Sequence, residues 1–417
     1  MINPKDPLDR FLMFLPGFTS WVMLLMPIWL GLTFPRAAAF LLTFIAVYWV
    51  YLALSHATGL IRGYFIYKKE VVVDWYKKCQ ELNFSELPNK GTLPNSLAET
   101  KHLILIPTVK ESFDILKEPF RALANSNYPK ENIIVAVSTE EVGEAEVKES
   151  LEKIKAEYGD KLPRIMQFVH PRGIPGEIVG VASPNRKWGA VHAIEQLKKE
   201  GEDVKNYIFT TYDSDWLLHK EFLPRLTYAY LTDPKRFNRF YETVVHLFSN
   251  NIWKVPILSR IESHNITLGM LSNWTSNPLY KESFSCYSCA LDTLIAADYW
   301  DTTMIDDTVF YWRALYARRG DFSSSKFYIP IYGDATGGTS YLNAHKNLYK
   351  QLVRWGWGSV TSVIAMKYMI KILRKETNFE DKILWAFSKI ERHLILRTSV
   401  FLITFGFTLV TLVTVAF

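Results

Sequence analysis

Asp213-Ser214-Asp215 places two carboxylates one residue apart, directly after an apolar run, Asn206–Tyr212 (NYIFTTY), with the length and composition of a buried strand. The chain turns at a strand end, so both carboxylates can face one cation. Hard divalent ions such as Mg²⁺ or Mn²⁺ take one or two carboxylates and keep positions open for phosphate oxygens. Alone the triplet is a weak signal: about one is expected by composition in a chain of this length, and Asp215 equally suits the N-cap of a helix over Trp216–Tyr230. A second acidic pair, Asp306-Asp307, opens the helical string IDDTVFYWRAL. Acids at a helix N-terminus complement its dipole, and one directed into a cleft can accept a proton from an attacking hydroxyl. Gln351, Arg354 and Trp355 recur at i, i+3 and i+4 and so share a helical face. An amide, a fixed cation and a flat apolar surface together suit a sugar and a diphosphate. Interfacial Trp and Arg on a membrane-proximal helix would explain the same string, and nearby Trp357 fits that reading.

Other signals are weaker. Cys286 and Cys289 form a CxxC with no second pair and no His at ligand spacing, which favours a packed strand over zinc or redox chemistry. His192 and His246 read as satisfied core or surface residues. Asp334, inside the Gly-rich run Gly333–Thr339, and His345 after it are weak candidates to line a cleft, and Tyr332–Gly338 serves equally as a hinged gate or as an ordinary turn. Pro171–Asn185, rich in Gly and Pro, reads as a mobile loop.

The elements that must position these groups alternate. Lys101–Val109, Asn132–Ser138, Arg164–His170 and Asn206–Tyr212 read as strands, separated by helical patterns at Ser112–Asn127, Glu144–Tyr158 and Lys187–Lys199. Such alternation predicts a mostly parallel sheet with right-handed crossovers, whose ligands bind beyond the carboxyl ends of the strands. Ser138-Thr139-Glu140-Glu141 and Tyr212–Asp215 lie at two of those ends. Further on, Phe240–Phe248, Phe284–Asp292 and Phe322–Tyr332 read as strands, and Asp306–Arg319 and Tyr341–Trp357 as helices.

Charge is distributed unevenly along the 417 residues, whose net charge is +6. Residues 1–61 hold five charged side chains (Lys5, Asp6, Asp9, Arg10, Arg36) and 394–417 hold one, Arg397. The residues between carry all the others at an ordinary globular density, which excludes a plain soluble enzyme, a disordered chain and a pure membrane bundle. Phe11–Phe34, Ala37–Ile61 and Thr398–Phe417 are each long enough to cross a bilayer, and the chain ends with the third of them, as a truncated reading frame would. Arg62, Lys68, Lys69, Lys77 and Lys78 follow the first pair of spans, so the positive-inside bias puts the large domain in the cytoplasm, at a multi-pass cell membrane. The sequons at Asn83, Asn265 and Asn273 are then coincidences. Val363–Lys375 and Lys382–Arg392 read as amphipathic helices on membrane lipid. Three cysteines are too few for a disulfide scaffold, and no basic run with interleaved aromatics calls for nucleic acid. The division expected is two spans over 1–61, a linker over 62–100, an α/β domain over 101–357, interfacial helices over 358–393 and a last span over 394–417.

With these motifs in order, the sequence resembles the inverting family 2 glycosyltransferases of GT-A fold, in the membrane-bound branch with cellulose and hyaluronan synthases and ceramide glucosyltransferase. The resemblance covers Leu103 to Trp357. LILIPTVKES carries the family's Pro-x-x-x-Glu as Pro107 and Glu111, Lys187-Trp-Gly-Ala190 is similar to its Lys-x-Gly-Ala, Asp213-Ser-Asp215 to its DxD, Asp306-Asp307 to its Glu-Asp or Asp-Asp, and Gln351–Trp355 to its QxxRW. The resemblance implies a GT-A (Rossmann-like) domain flanked by transmembrane helices. It also implies Mg²⁺ or Mn²⁺ on Asp213 and Asp215, Asp307 as general base beside Asp306, Lys187 near the nucleotide and Arg354 on the diphosphate. Gln351, Arg354 and Trp355 would hold the substrates. The family's acidic pair after the second strand, which contacts the nucleoside, is replaced here by Glu140-Glu141, so a UDP-sugar donor is an expectation from resemblance alone. The acceptor implied is a lipid or a growing polysaccharide. The competing class is a catalytically inactive nucleotide-sugar-binding module in a membrane complex.

Overall fold

The structure, a computed structural model, describes residues 2–3, 5–276, 281–283, 285–304, 307–356, 359–371 and 379–416. It divides into two units, Met1–Thr58 with Gly356–Phe417, and Gly59–Trp355. The chain opens with α1 (Pro7–Leu24) and α2 (Met26–Thr33), bent by 58° at the break between them. Pro27 follows that break, where its missing N–H costs a helix start nothing but would interrupt a continuous ladder. The expected second span lies inside α3 (Pro35–Glu70), whose 36 residues pass at Gly59 into the second unit and run on through Arg62, Lys68 and Lys69.

The second unit begins, after the end of α3, with α4 (Trp75–Gln80) and is built on β1 (Lys101–Thr108), α5 (Phe113–Ala124), β2 (Ile133–Glu140), α6 (Glu144–Tyr158), β3 (Arg164–His170), α7 (Ser183–Lys199) and β4 (Tyr207–Thr211). It continues through β5 (Leu217–Leu218), α8 (Phe222–Thr232), β6 (Arg239–Thr243), β7 (His246–Leu247), α9 (Ile257–Ser276), β8 (Tyr287–Ala290), α10 (Leu291–Ala296), α11 (Asp307–Ala317), β9 (Ser323–Phe327) and β10 (Ile331–Tyr332). Last comes α12 (Tyr341–Gly356). Seven strands form one sheet in the order β3-β2-β1-β4-β8-β6-β9. Pairings are parallel except those of β8, which runs antiparallel to β4 and β6. The chain steps outward from β1 to β3 and returns to β4 on the other side of β1. This leaves the crevice for ligands at the carboxyl ends of β1 and β4.

The middle of β1, Leu103–Pro107, and most of β2, Ile133–Val137, are apolar because helices cover both faces of the sheet. Ile104, Ile106, Val135 and Val137 share a core with Leu116 and Phe120 of α5 and Val147 and Ile154 of α6. α7 lies on the other face and comes very close at Gly189, where a Cβ would meet Ser138 Cβ at 2.4 Å and Leu105 Cδ1 at 3.0 Å. At the other edge of the unit, the Glu70 carboxylate accepts from Arg225 Nε (3.0 Å) and Nη2 (3.1 Å) and from the Tyr328 amide (2.9 Å). The Arg225 guanidinium also stacks 4.3 Å from the Trp75 ring, so the last turn of α3 is pinned to α8.

The structure departs from the sequence pattern in three places. The helix expected over Trp216–Tyr230 starts only at Phe222, with β5 in between, so Asp215 caps no helix. The expected strands at Phe240–Phe248 and Phe322–Tyr332 are each split in two, as β6 with β7 and β9 with β10. Helix α9 has no counterpart in the sequence reading.

The first unit resumes with α13 (Val360–Lys371), α14 (Phe379–Ile390) and α15 (Leu396–Ala416), the last two joined by a π-turn at Glu391–Ile395. Met26, Ala38, Leu42, Ile45, Leu402 and Val410 form its core, while Phe14, Trp21, Phe40, Phe44 and Phe401 are exposed. Large apolar side chains on the outside suit a hydrocarbon surround. Asp9, fully buried, is paired with Lys367 of α13 at 2.6 Å. Two helical stretches, Pro35–Glu70 and Ile383–Val415, are long and apolar enough to cross a membrane, and α1 with α2 is a third if the bent pair is one span.

Gly189→Ala should destabilise the detergent-solubilised protein by about 1–3 kcal/mol, because a backbone-fixed Cβ at Ser138 has to move. Gly91→Ala, with open space at its Cβ position, should change stability by less than about 0.5 kcal/mol. Equal melting temperatures for the two variants would contradict this packing.

Candidate active site

Two-residue strands assemble the site. β10 pairs antiparallel with β5, Ile331 opposite Leu218 and Tyr332 opposite Leu217; the same register carried two residues past the strands leads to Asp334 and Asp215, whose carboxylates interact. β10 also pairs parallel with β7, and this brings Asn250 alongside. The Asn250 amide N–H donates to Gly333 O at 3.4 Å, and its side-chain Nδ2 donates to Tyr332 O at 3.2 Å and Asp215 O at 3.3 Å. Trp216 fills the space behind this pairing against His246 and Phe248. A Cβ at Gly333 would stand 2.8 Å from its ring, so only glycine lets β10 pass so close.

Four carboxylates interact here. Burial, followed by Asp213 and Asp334 and more weakly Glu111, pushes Asp215 up to about 7. Burial also raises Asp334, against the opposing pull of its Asn250 hydrogen bond and the Lys254 cation. Glu111 sits in the turn after β1, where its carboxylate accepts from the Val109 amide at 2.7 Å. Asp213 is met by Arg186, 1% exposed on α7, whose Nη2 donates to it at 2.5 Å. Asn185, one residue earlier, donates to Thr108 O and Ser138 O at the ends of β1 and β2 and fixes the start of α7. Beside Asp215 opens a cleft of about 330 Å³, lined among others by Asp114, Glu118, Arg121, Asn250 and Asp334. That volume lies within the range of about 300–1,000 Å³ usual for small-molecule sites.

The other expected site residues lie as follows. Glu140 closes β2 and faces His170 Nδ1 at 3.1 Å; the other ring nitrogen of His170 faces Glu177 at 2.9 Å. Glu141 accepts from the Arg172 amide at 2.8 Å. Lys187 reaches Asp298 at 3.3 Å. Gln351 lies on the inward face of α12 with Ala344 and Leu348, and its Oε1 accepts from the Thr336 hydroxyl, two residues from Asp334. Arg354 and Trp355 are more exposed, at the end of that helix. α11 begins at Asp307; the Asp307 side chain and all of Asp306 lie outside the described residues. Cys286 and Cys289 are buried free thiols. Histidines 192, 246 and 345 are each bonded through a ring nitrogen to a backbone carbonyl. Arg186 and Asn250 went unremarked in the sequence. For Arg186 the signal was its place beside Lys187; for Asn250 there was none, because the pairing of β7 with β10 is non-local.

Among the described residues no three His, Cys, Asp or Glu side chains are placed to enclose a cation. Asp213 and Asp215 offer hard oxygen donors of the kind Mg²⁺ and Mn²⁺ accept when substrate phosphates complete the coordination. A repelled, proton-hungry carboxylate is also what a divalent cation relieves.

Asp215 binds its proton more tightly folded (about 7) than unfolded (about 3.9), so stability falls as pH rises from about 4 to about 7, and the deficit is complete above that. In metal-free buffer Asp215→Asn should therefore melt above wild type at pH 8, by an amount that shrinks towards zero near pH 4. A gap independent of pH would contradict the repulsion.

No family model matches the sequence, and no curated protein matches it. Solved structures similar to it include S. aureus TarS (15% identity, TM-score 0.40, 70% of this chain and 43% of that one). The mannosyltransferase PcManGT from Pyrobaculum calidifontis, in complex with GDP-Man and Mn²⁺, is similar at 12% identity and TM-score 0.39, over 87% of this chain and 99% of that one. S. aureus TarS 1–349 in complex with UDP-GlcNAc is similar at 13% identity and TM-score 0.36, over 74% and 88%. The match thus spans less than half of the full TarS chain. These are distant likenesses of fold.

Proposed function

We propose that the chain is a membrane-integral, inverting glycosyltransferase that moves a sugar from a nucleoside diphosphate sugar, with UDP the expected carrier, to a lipid or polysaccharide acceptor. The observation that supports this most is the placing of Asp213 and Asp215 just past the carboxyl end of β4, with Asp334 after β10 and, more weakly, Glu111 after β1 acting on Asp215. A diphosphate placed among four carboxylates is repelled unless a divalent cation lies between them, which favours a metal-dependent donor site. The basic residues after the first spans support a cytoplasmic donor site.

In this reading Asp213 and Asp215 would hold Mg²⁺ or Mn²⁺, which would supply positive charge to the diphosphate. Arg186 fixes the Asp213 carboxylate and limits its repulsion of Asp215. Lys187 and Arg354 supply cations to the diphosphate, and Glu140 and Glu141, oriented by His170 and the Arg172 amide, face the nucleoside. Asp334 accepts hydrogen bonds from sugar hydroxyls in the cleft, and so does the Oδ1 of Asn250, whose Nδ2 is held by Tyr332 O and Asp215 O. Asp307, carried over from the resemblance, takes the acceptor hydroxyl proton as the oxygen attacks the face opposite the phosphate. The Gln351 carbonyl is held by Thr336, which leaves its NH₂ to donate to the acceptor while Trp355 stacks on it.

Membranes carrying the chain, given labelled nucleotide sugars and Mn²⁺, should place label in an organic extract or in insoluble polymer. Asp307→Asn should lower transfer by at least about 10²-fold with nucleotide affinity nearly unchanged. Nucleotide-sugar binding without transfer to any acceptor would instead favour the inactive binding module, the reading to which the Glu140-Glu141 replacement lends weight.

A further inference from the structure

Helix α9 lies in the α/β unit yet leaves an apolar stripe uncovered. Ile257 is 61% exposed, Leu258 and Ile261 51% each and Leu268 42%, and Trp253 just before the helix is 82% exposed. On a 3.6-residue period, Ile257, Ile261 and Leu268 share a stripe of about 100° with Leu271, Ser272 and Thr275. His264 interrupts the stripe as an exposed polar residue. Among the described residues its C-terminal end is covered by α3: a Cβ at Gly59 would meet Ser276 Oγ at 2.1 Å and Ser272 O at 2.6 Å, and one at Gly63 would meet Leu271 Cδ1 at 2.7 Å. Gly59 against Ser272 and Ser276, and Gly63 against Leu271 and Thr275, give a close helix crossing with glycine on the α3 side.

That crossing sits where the apolar run of α3, Ala37–Ile61, gives way to Arg62. α9 therefore meets α3 at the depth where a spanning helix leaves hydrocarbon for the headgroups. Its N-terminal turns carry the exposed part of the stripe, with the exposed Lys254 and with Arg260, whose guanidinium lies 5.4 Å from the Trp253 ring. Interfacial Trp, apolar side chains on one helical stripe and adjacent cations are the chemistry of a helix lying in the headgroup layer beside anionic lipid.

We propose that Trp253 and the Ile257–Leu268 stripe of α9 form a bilayer-contact surface, a second membrane attachment contributed by the α/β unit itself. The surface adjoins the cleft along the chain, since Asn250, three residues before Trp253, lines it. The bilayer surface then reaches the rim of the cleft, where a lipid-borne ligand would enter. The proposal does not depend on the transferase reading.

The test places a fluorophore at Trp253→Cys, and separately at Ile261→Cys, in the full chain in nanodiscs containing anionic lipid. The native cysteines are buried. Tyr316→Cys, at a position 56% exposed elsewhere in the unit, serves as the aqueous reference. Labels at 253 and 261 should be quenched by doxyl-labelled lipid and be several-fold less accessible to iodide than the label at 316. Iodide access equal to that of the reference overturns the proposal. So does protection from iodide without quenching by doxyl lipid, which would mean that protein, such as a second copy of the chain, covers the stripe.

Discussion

The antiparallel pairing of Leu217-Leu218 with Ile331-Tyr332 is the constraint on which the candidate site depends. It joins positions more than a hundred residues apart, and its register leads on to Asp334 and Asp215, whose carboxylates interact. A one-residue slip would turn one of the two carboxylates to the other face of the ribbon. The pairing is short, so its surroundings must hold it. Trp216 packs behind it, Gly333 admits that ring, Asn250 ties the adjoining segment to both strands, and Asn251 exchanges two hydrogen bonds with the backbone of Ala335.

What this arrangement stores is electrostatic. Carboxylates brought together in a partly buried cleft oppose folding, and Arg186 offsets part of this at Asp213. A site that holds an unfavourable charge distribution in place is poised for a ligand that corrects it. The large parallel sheet supplies the rigidity: Asp213 follows a central strand hydrogen-bonded on both sides, and Arg186 projects from a helix packed closely on that sheet through Gly189.

The part of the fold that obeys local rules was legible in the sequence. β1 to β4 and the helices between them announce themselves by apolar runs and helical spacing, and the third strand falls at the residues expected, Arg164–His170. Asp213 and Asp215 could be placed at a strand end for the same reason. Asp334 was visible only as an acid in a Gly-rich run, because what makes it part of the cleft is a non-local pairing of two-residue strands without a periodicity of their own. Helix α9 escaped because its stripe mixes Ile and Leu with Ser, Thr and His: its C-terminal half is selected for close approach to α3, so apolar period alone does not mark it. The helix over Trp216–Tyr230 was expected too early, since Asp215 has the chemistry of an N-cap and nothing local signals that Leu217 and Leu218 pair with a distant strand.

The central claim is that Asp213 and Asp215 hold a divalent cation together with a nucleoside diphosphate. Mn²⁺ electron paramagnetic resonance on the purified chain, with UDP and with GDP, tests it most directly. Wild type should remove free Mn²⁺ from solution saturably beyond what the nucleotide binds alone, and Asp215→Asn should lose that additional uptake. If the Asn variant takes up as much Mn²⁺ as wild type with either nucleotide, the assignment of these carboxylates is wrong.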